Sequence, residues 1–131
     1  MGNGLTVQQK TGVIQALNQG QLGEMIKPLV NEIHLFDTYV AGTTYLSDRS
    51  VLDEIAAGDK LTLQRENNKF DDNAILVLTG DGKKLGYVPE RDNIVFSRLM
   101  DAGKCLEAKI AGVDKKGDYT KISIGIYLID F

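Results

Sequence analysis

The sequence predicts a mainly β protein with some α: a closed or partly closed antiparallel barrel with two short helices, preceded by an N-terminal helical segment. Three observations predict it. Short segments alternate apolar and polar residues, the period of a strand with one face in a core. The connections between them are short and carry glycine or paired polar residues. Helical patterns are too few and too brief to alternate with strands as a βαβ sheet requires.

Taken in order, residues 5–30 are Gln-rich, with Val13, Ile14 and Leu17, then Leu22, Met25, Ile26 and Leu29, near helical spacing. Gly12, Gly20 and Gly23 interrupt the run and Pro28 closes it. This predicts two short helices or one broken one, a helical appendage over residues 1–31 separable from a barrel domain over 32–131. Ile33 to Gly42 is β-branched and aromatic and predicts a strand. Ser47-Asp48 caps a short helix through Ile55 that Gly58 ends. Lys60–Glu66 and Ala74–Thr79 alternate as strands, Gly80-Asp81-Gly82 forms a hairpin turn, and Lys83–Val88 returns. Pro89-Glu90-Arg91-Asp92 opens a helix with Val95, Phe96, Leu99 and Met100 on one packed face, and Gly103 ends it. Cys105–Val113 and Tyr119–Phe131 complete the barrel, and Cys105 is expected to be buried.

The chain has 131 residues, a net charge of -3 and a pI near 5.1. A protein that grips nucleic acid through phosphates needs a basic surface, because affinity comes from releasing counterions. Binding of that kind is excluded as the main mode. Any nucleic-acid contact has to be local and built on stacking and hydrogen bonds. One cysteine excludes an internal disulfide and a cysteine-based zinc site. No apolar run reaches membrane-spanning length, and the N-terminal residues lack the pattern of a secretory signal, so a cytoplasmic protein is expected. Gly80-Asp81-Gly82-Lys83-Lys84 lacks the spacing of a phosphate-binding loop, and His34 stands alone. No pair of residues stands out as general acid and base, so neither an enzyme nor a cofactor or metal requirement is expected.

The most informative stretch is Arg65-Glu66-Asn67-Asn68-Lys69-Phe70-Asp71-Asp72-Asn73-Ala74-Ile75, followed by Gly86-Tyr87-Val88-Pro89. An aromatic ring beside a carboxylate, in a loop otherwise polar, suits a flat polar ligand such as a nucleobase with its sugar. Structural roles compete. Phe70 can fold back onto the core, Asp71 and Asp72 can cap turn amides, Asn73 can shape the loop, and Tyr87 can pack with its hydroxyl bonded.

These segments, with Tyr39-Val40-Ala41-Gly42-Thr43-Thr44-Tyr45 and Gly58-Asp59-Lys60-Leu61-Thr62-Leu63-Gln64-Arg65-Glu66, resemble a HIRAN domain from about Phe36 to the final strand. The resemblance implies a modified oligonucleotide-binding barrel. Eukaryotic members are fused to a Swi/Snf-type DNA translocase and capture the 3′-hydroxyl end of single-stranded DNA, whereas bacterial members include small stand-alone proteins. It further implies that Tyr45 stacks on a terminal base and Phe70 supplies a second ring. Asp71 then accepts from the terminal hydroxyl, Asn68 adds a polar contact, and Tyr87 borders the pocket. Thr44 stands where the family has an arginine, Leu46 where it has a second tyrosine, and Glu90 where it has a lysine; Arg91 is next in line as a substitute.

The expected function is therefore a non-catalytic nucleic-acid-binding module for single-stranded DNA, at its 3′-hydroxyl end, in DNA repair or processing. Arg65, Lys69 and Arg91 are the expected phosphate contacts. Expected partners are repair or helicase proteins, with no membrane, and with self-association through the N-terminal helices. The alternative is a protein-interaction adaptor on a barrel that has lost DNA binding. The first reading needs Tyr45, Phe70 and Asp71 on one surface with positive charge beside them, and the second needs those rings buried and an exposed apolar face on residues 13–29.

Overall fold

Alternation along the strands becomes one curled sheet with a single apolar lining. The computed structural model describes residues 30–130. The helical appendage and the self-association surface expected over residues 1–31 lie, up to residue 29, outside the described residues. The strands are β1 (Asn31–Tyr39), β2 (Lys60–Arg65), β3 (Ile75–Thr79), β4 (Lys84–Tyr87), β5 (Leu106–Lys116) and β6 (Tyr119–Asp130). Their spatial order is β1-β6-β5-β2-β3-β4, an antiparallel sheet curled into a half-barrel. Two 3-10 turns, Thr43–Tyr45 and Arg49–Asp53, follow β1, and one α-helix, α1 (Asn93–Asp101), sits between β4 and β5.

Period-two burial fills the interior. Leu61 and Leu63 of β2, Ile75 and Val77 of β3, Leu106, Ala108 and Ile110 of β5, and Ile122, Ile124 and Ile126 of β6 are all buried in one cluster. Register keeps them there: Leu61 pairs with both Thr79 and Ala108, and Ile110 pairs with Ile124. Phe96 of α1 joins the same cluster, with Leu99 and Met100 packed partly against it.

The sheet is pinned at one end, where its first and last strands in space meet. Just past β1, Ala41 forms an antiparallel bridge with Tyr87 of β4. Ala41 N–H donates to Tyr87 O at 2.8 Å, and Tyr87 N–H donates to Ala41 O at 2.9 Å. Gly86 makes this approach possible. A Cβ at Gly86 would lie 2.2 Å from Ala41 O and 2.7 Å from Val40 Cγ1, at a φ of +154°. Gly42 then turns the chain out of the seam with a left-handed φ of +82°, and its carbonyl accepts from Tyr45 N–H at 3.0 Å.

Three local expectations are corrected. The helix expected from Ser47-Asp48 is a five-residue 3-10 turn, although Asp48 does cap it by accepting from Ser50 N–H. Val95 is 59% exposed, because the buried stripe of α1 runs through Asn93, Phe96 and Ser97 instead. Cys105 is exposed, since it immediately precedes the inward sequence Leu106, Ala108, Ile110 and so alternates outward. In addition, Ile33, Leu35 and Phe36 of β1 are exposed despite their apolar character, and burial on that segment begins only at Val40.

Gly86→Ala tests the seam. The added methyl has backbone on one side and Val40 on the other, so it should destabilise the fold by about 2 kcal/mol or more. A control, Gly82→Ala, places its Cβ in open space at a φ of +87° and should cost only about 1 kcal/mol. The urea midpoints of the two variants measure the difference.

Candidate nucleic-acid interface

The polar loop between β2 and β3 is built by its own side chains. Asn68 Oδ1 accepts from Phe70 N–H at 2.8 Å, and Asp71 Oδ1 accepts from Asn73 N–H at 2.9 Å. Asn68 and Asp71 also form a backbone bridge. With the turn closed beneath it, Phe70 is left at the tip and is 85% exposed. The alternative in which this ring anchors the loop to the core is thereby excluded. Lys69 accompanies it, with Nζ 5.3 Å from the ring centroid.

Asp71 has two fixed neighbours and spare capacity. Its Oδ2 accepts from Asn93 Nδ2 at 2.8 Å, and Asn93 is only 2% exposed at the start of α1. A carboxylate offers about four acceptor positions, so two remain for a ligand. The carboxylate opens into a pocket of about 190 Å³ lined by Ala41, Asn68, Tyr87, Val88 and Glu90 in addition to Asp71. Tyr87 enters the wall directly from the seam. Its hydroxyl donates to Glu66 at 2.8 Å, and Asn68 Nδ2 donates to the same carboxylate oxygen at 3.2 Å. Asp71, Glu90 and, behind Tyr87, Glu66 thus make the pocket acidic. Such a pocket welcomes a hydroxyl donor and repels a phosphate.

Tyr45 occupies a neighbouring cleft. The 3-10 turn that follows Gly42 buries Thr43, whose Oγ1 donates to Thr120 O at 3.2 Å, and leaves Tyr45 90% exposed. Tyr45, Leu46, Ser47, Asp48, Val51, Lys83 and Lys84 line a cleft of about 290 Å³. Lys84 joins the two spaces, because its Nζ reaches the Tyr87 hydroxyl at 3.3 Å.

The three cations expected at phosphates are placed unequally. Arg65 has another job. It donates through Nε and Nη2 to Asp101 at 2.9 and 3.3 Å, through Nη1 to Ala74 O at 2.6 Å, and through Nη2 to Asp72 O at 2.7 Å. With four of its five N–H groups committed, it works as a clamp tying the loop to the end of α1. Arg91 lies 5.5 Å over the Tyr39 ring and lines a groove with Leu35 and Phe36. It does not line the Asp71 pocket, where Glu90 does. Lys69 alone of the three stays beside Phe70.

Sequence reading missed Glu66, Lys84 and Asn93 as members of the site. Asn93 left a usable signal. Asn93 and Ser97 are four apart and share a helix face with Phe96 and Met100, and polar residues in line with a core stripe need buried polar partners. They have them, since Ser97 Oγ donates to Asn73 Oδ1 at 3.1 Å. Glu66 and Lys84 left none, because their link to Tyr87 depends on strand register.

A small half-barrel whose rings project around an acidic pocket is an oligonucleotide-binding-like domain in build. The chain belongs to the HIRAN domain family, whose model matches residues 33–128. It is similar in structure to a protein from Lactobacillus plantarum, with a TM-score of 0.73 and 29% identity over 78% of this chain and 99% of that one. It also shares the fold of the HIRAN domain of human HLTF, with a TM-score of 0.59 and 18% identity over 75% of this chain and 78% of that one. The NMR structure of the HLTF HIRAN domain in its DNA-bound conformation gives a TM-score of 0.55 at 18% identity, over 76% and 79% of the two chains. No curated protein matches. Among the described residues, no helix is long and apolar enough to cross a membrane.

The clamp yields a pH-dependent test. Arg65 donates to Asp101 and holds its carboxyl below the usual range. A lowered folded-state pKa means that the contribution is complete above the unfolded value and is lost as pH falls through the folded one. Arg65→Ala should therefore release the loop, with faster amide exchange at 68–73, while core strand amides in β5 and β6 keep their protection. The same variant should also flatten the decline of the urea midpoint on the acid side. Equal exchange in both proteins would show that the clamp does not hold the loop.

Proposed function

We propose that this protein is a binding module for single-stranded DNA that seats the 3′-hydroxyl end in the Asp71 pocket. The observation that carries the reading is the pairing of two outward rings, Tyr45 and Phe70, with a carboxylate that is oriented yet not saturated. A ring free of the core offers its face to a base, and such stacking is worth about 1–3 kcal/mol per base. Asp71 accepts from a terminal hydroxyl, while the acidic wall discriminates against a terminal phosphate. The HIRAN domain of HLTF, which has a DNA-bound conformation, supports the same class of ligand. Repair or processing of DNA ends is the setting this chemistry suits, with helicase or repair proteins as partners.

The module works by shape and placed dipoles. Tyr45 and Phe70 tolerate any base, because every base has a π-face. Asn68 and Tyr87 have polar groups at the pocket wall for the sugar, and Glu66 fixes the direction of the Tyr87 hydroxyl. Asn93 holds the carboxylate in place, so little ordering remains to be done on binding.

A second reading, a protein-interaction adaptor, draws on a different feature. Leu35, Phe36, Ile94 and Val95 line an apolar groove of about 470 Å³ between β1 and α1, apart from the Asp71 pocket.

Fluorescence anisotropy with a labelled oligonucleotide separates the readings. A 3′-hydroxyl strand should bind in the micromolar range at low salt, and a 3′-phosphate should abolish the binding. Tyr45→Ala and Phe70→Ala should each weaken it by about 5- to 150-fold. Asp71→Asn, which keeps the side chain's size and one acceptor oxygen for the Asn73 N–H, should erase the distinction between the two ends. Equal binding of both ends by the wild type would leave a general single-strand binder, and no binding at all would favour the adaptor.

A further inference from the structure

We propose that Lys84 is the phosphate-binding cation of this site, standing in from β4 for the positive charge that Thr44 and Glu90 do not supply. The proposal rests on the single-strand reading above and adds the residue that would fix the strand's backbone.

Geometry singles out Lys84 among the lysines and arginines near the pocket. Its ammonium lies 4.7 Å from the centroid of the Tyr87 ring and 3.3 Å from the Tyr87 hydroxyl. That hydroxyl donates its proton to Glu66, so its lone pair is the group that receives the Lys84 N–H. The side chain is thus oriented by a neutral partner. Among the described residues, no carboxylate lies within ion-pair distance of Lys84. Its neighbours differ. Lys83 is paired with Glu54 at 2.8 Å, which raises its pKa, and Arg65 is bound to Asp101. Arg91 lies over Tyr39, and Lys69 lies over Phe70 at the loop tip.

Position matters as much as charge. Lys84 lines the Tyr45 cleft, and it touches Tyr87, which lines the Asp71 pocket. A terminal nucleotide with its base on Tyr45 and its 3′-hydroxyl at Asp71 spans both spaces, and the first internucleotide phosphate hangs from the same sugar, beside the boundary between them. Lys84 stands at that boundary. Its charge there reconciles an acidic protein with an anionic ligand: one cation faces the backbone, while Asp71 and Glu90 face the hydroxyl end. Held against the ring of Tyr87, the ammonium loses little freedom when a phosphate arrives.

The test is the salt dependence of 3′-hydroxyl oligonucleotide binding, measured by anisotropy on wild type, Lys84→Gln, Lys84→Arg and Lys104→Gln. For a single strand, each neutralised phosphate contributes about 0.7 to the slope of log affinity against log salt. Lys84→Gln should reduce the slope by about that amount and weaken binding about fivefold at low salt. Lys84→Arg should retain the slope, and Lys104→Gln, at an exposed lysine just past α1, should change neither quantity. Wild-type slope and affinity in Lys84→Gln would overturn the assignment while leaving the single-strand reading in place. Failure of the wild type to bind would overturn that reading and the assignment with it.

Discussion

Two peptide hydrogen bonds between Ala41 and Tyr87 set the position of almost everything at the site. They join the segment leaving β1 to β4, on opposite edges of a six-stranded sheet, and they require a residue without a side chain at Gly86. From this seam the chain leaves in useful directions. Gly42 turns it outward so that Tyr45 is presented, and Tyr87 points its ring into the wall of the Asp71 pocket. Closure of the barrel and construction of the pocket are therefore one event, built from the same few backbone atoms.

A second layer of order comes from side chains that serve other side chains. Arg65 ties the loop to Asp101, Asn93 steadies Asp71, Ser97 bonds to Asn73, and Glu66 receives both Tyr87 and Asn68. Apart from the exposed Arg65–Asp101 pair, these contacts are part-buried, where an unmade bond is costly, so the network specifies one loop conformation. The polar character of the loop is thus put to structural use first. Only the ring at its tip and the remaining acceptor capacity of Asp71 are left for a ligand. An acidic protein can hold a polyanion on such terms, because stacking and a hydroxyl contact need no excess of positive charge.

Much of the fold was legible because strand burial has the simplest period in protein structure. Leu61-Leu63, Ile75-Val77 and Ile122-Ile124-Ile126 read directly as inward positions, and Gly80 to Gly82 read as a turn. The motifs around Tyr45, Phe70 and Tyr87 were legible through their resemblance to the HIRAN family, with Tyr45 in a 3-10 turn, Phe70 in a loop and Tyr87 at the end of β4. What was hidden depended on register and on helix phase. Arg65 looked like a free cation because its partner Asp101 is thirty-six residues away in sequence. Arg91 looked interchangeable with Glu90, yet adjacent residues in a turn leave in different directions, one to the groove and one to the pocket. Val95 showed the same sensitivity: with α1 starting at Asn93, the core stripe excludes it.

The seam also divides the site into parts with different freedom to change. Tyr45 and Phe70 project away from the core, so on the proposed reading replacing either ring alters what is held without disturbing the sheet. Ala41, Gly86 and Tyr87 have no such independence, since any alteration there is felt by the closure itself. A barrel built this way can explore new ligands by varying its projecting rings while its pocket floor stays fixed. Diversity among proteins of this architecture is then expected to collect at the tips of the turns, with the meeting point of the first and last strands as their common, slowly changing frame.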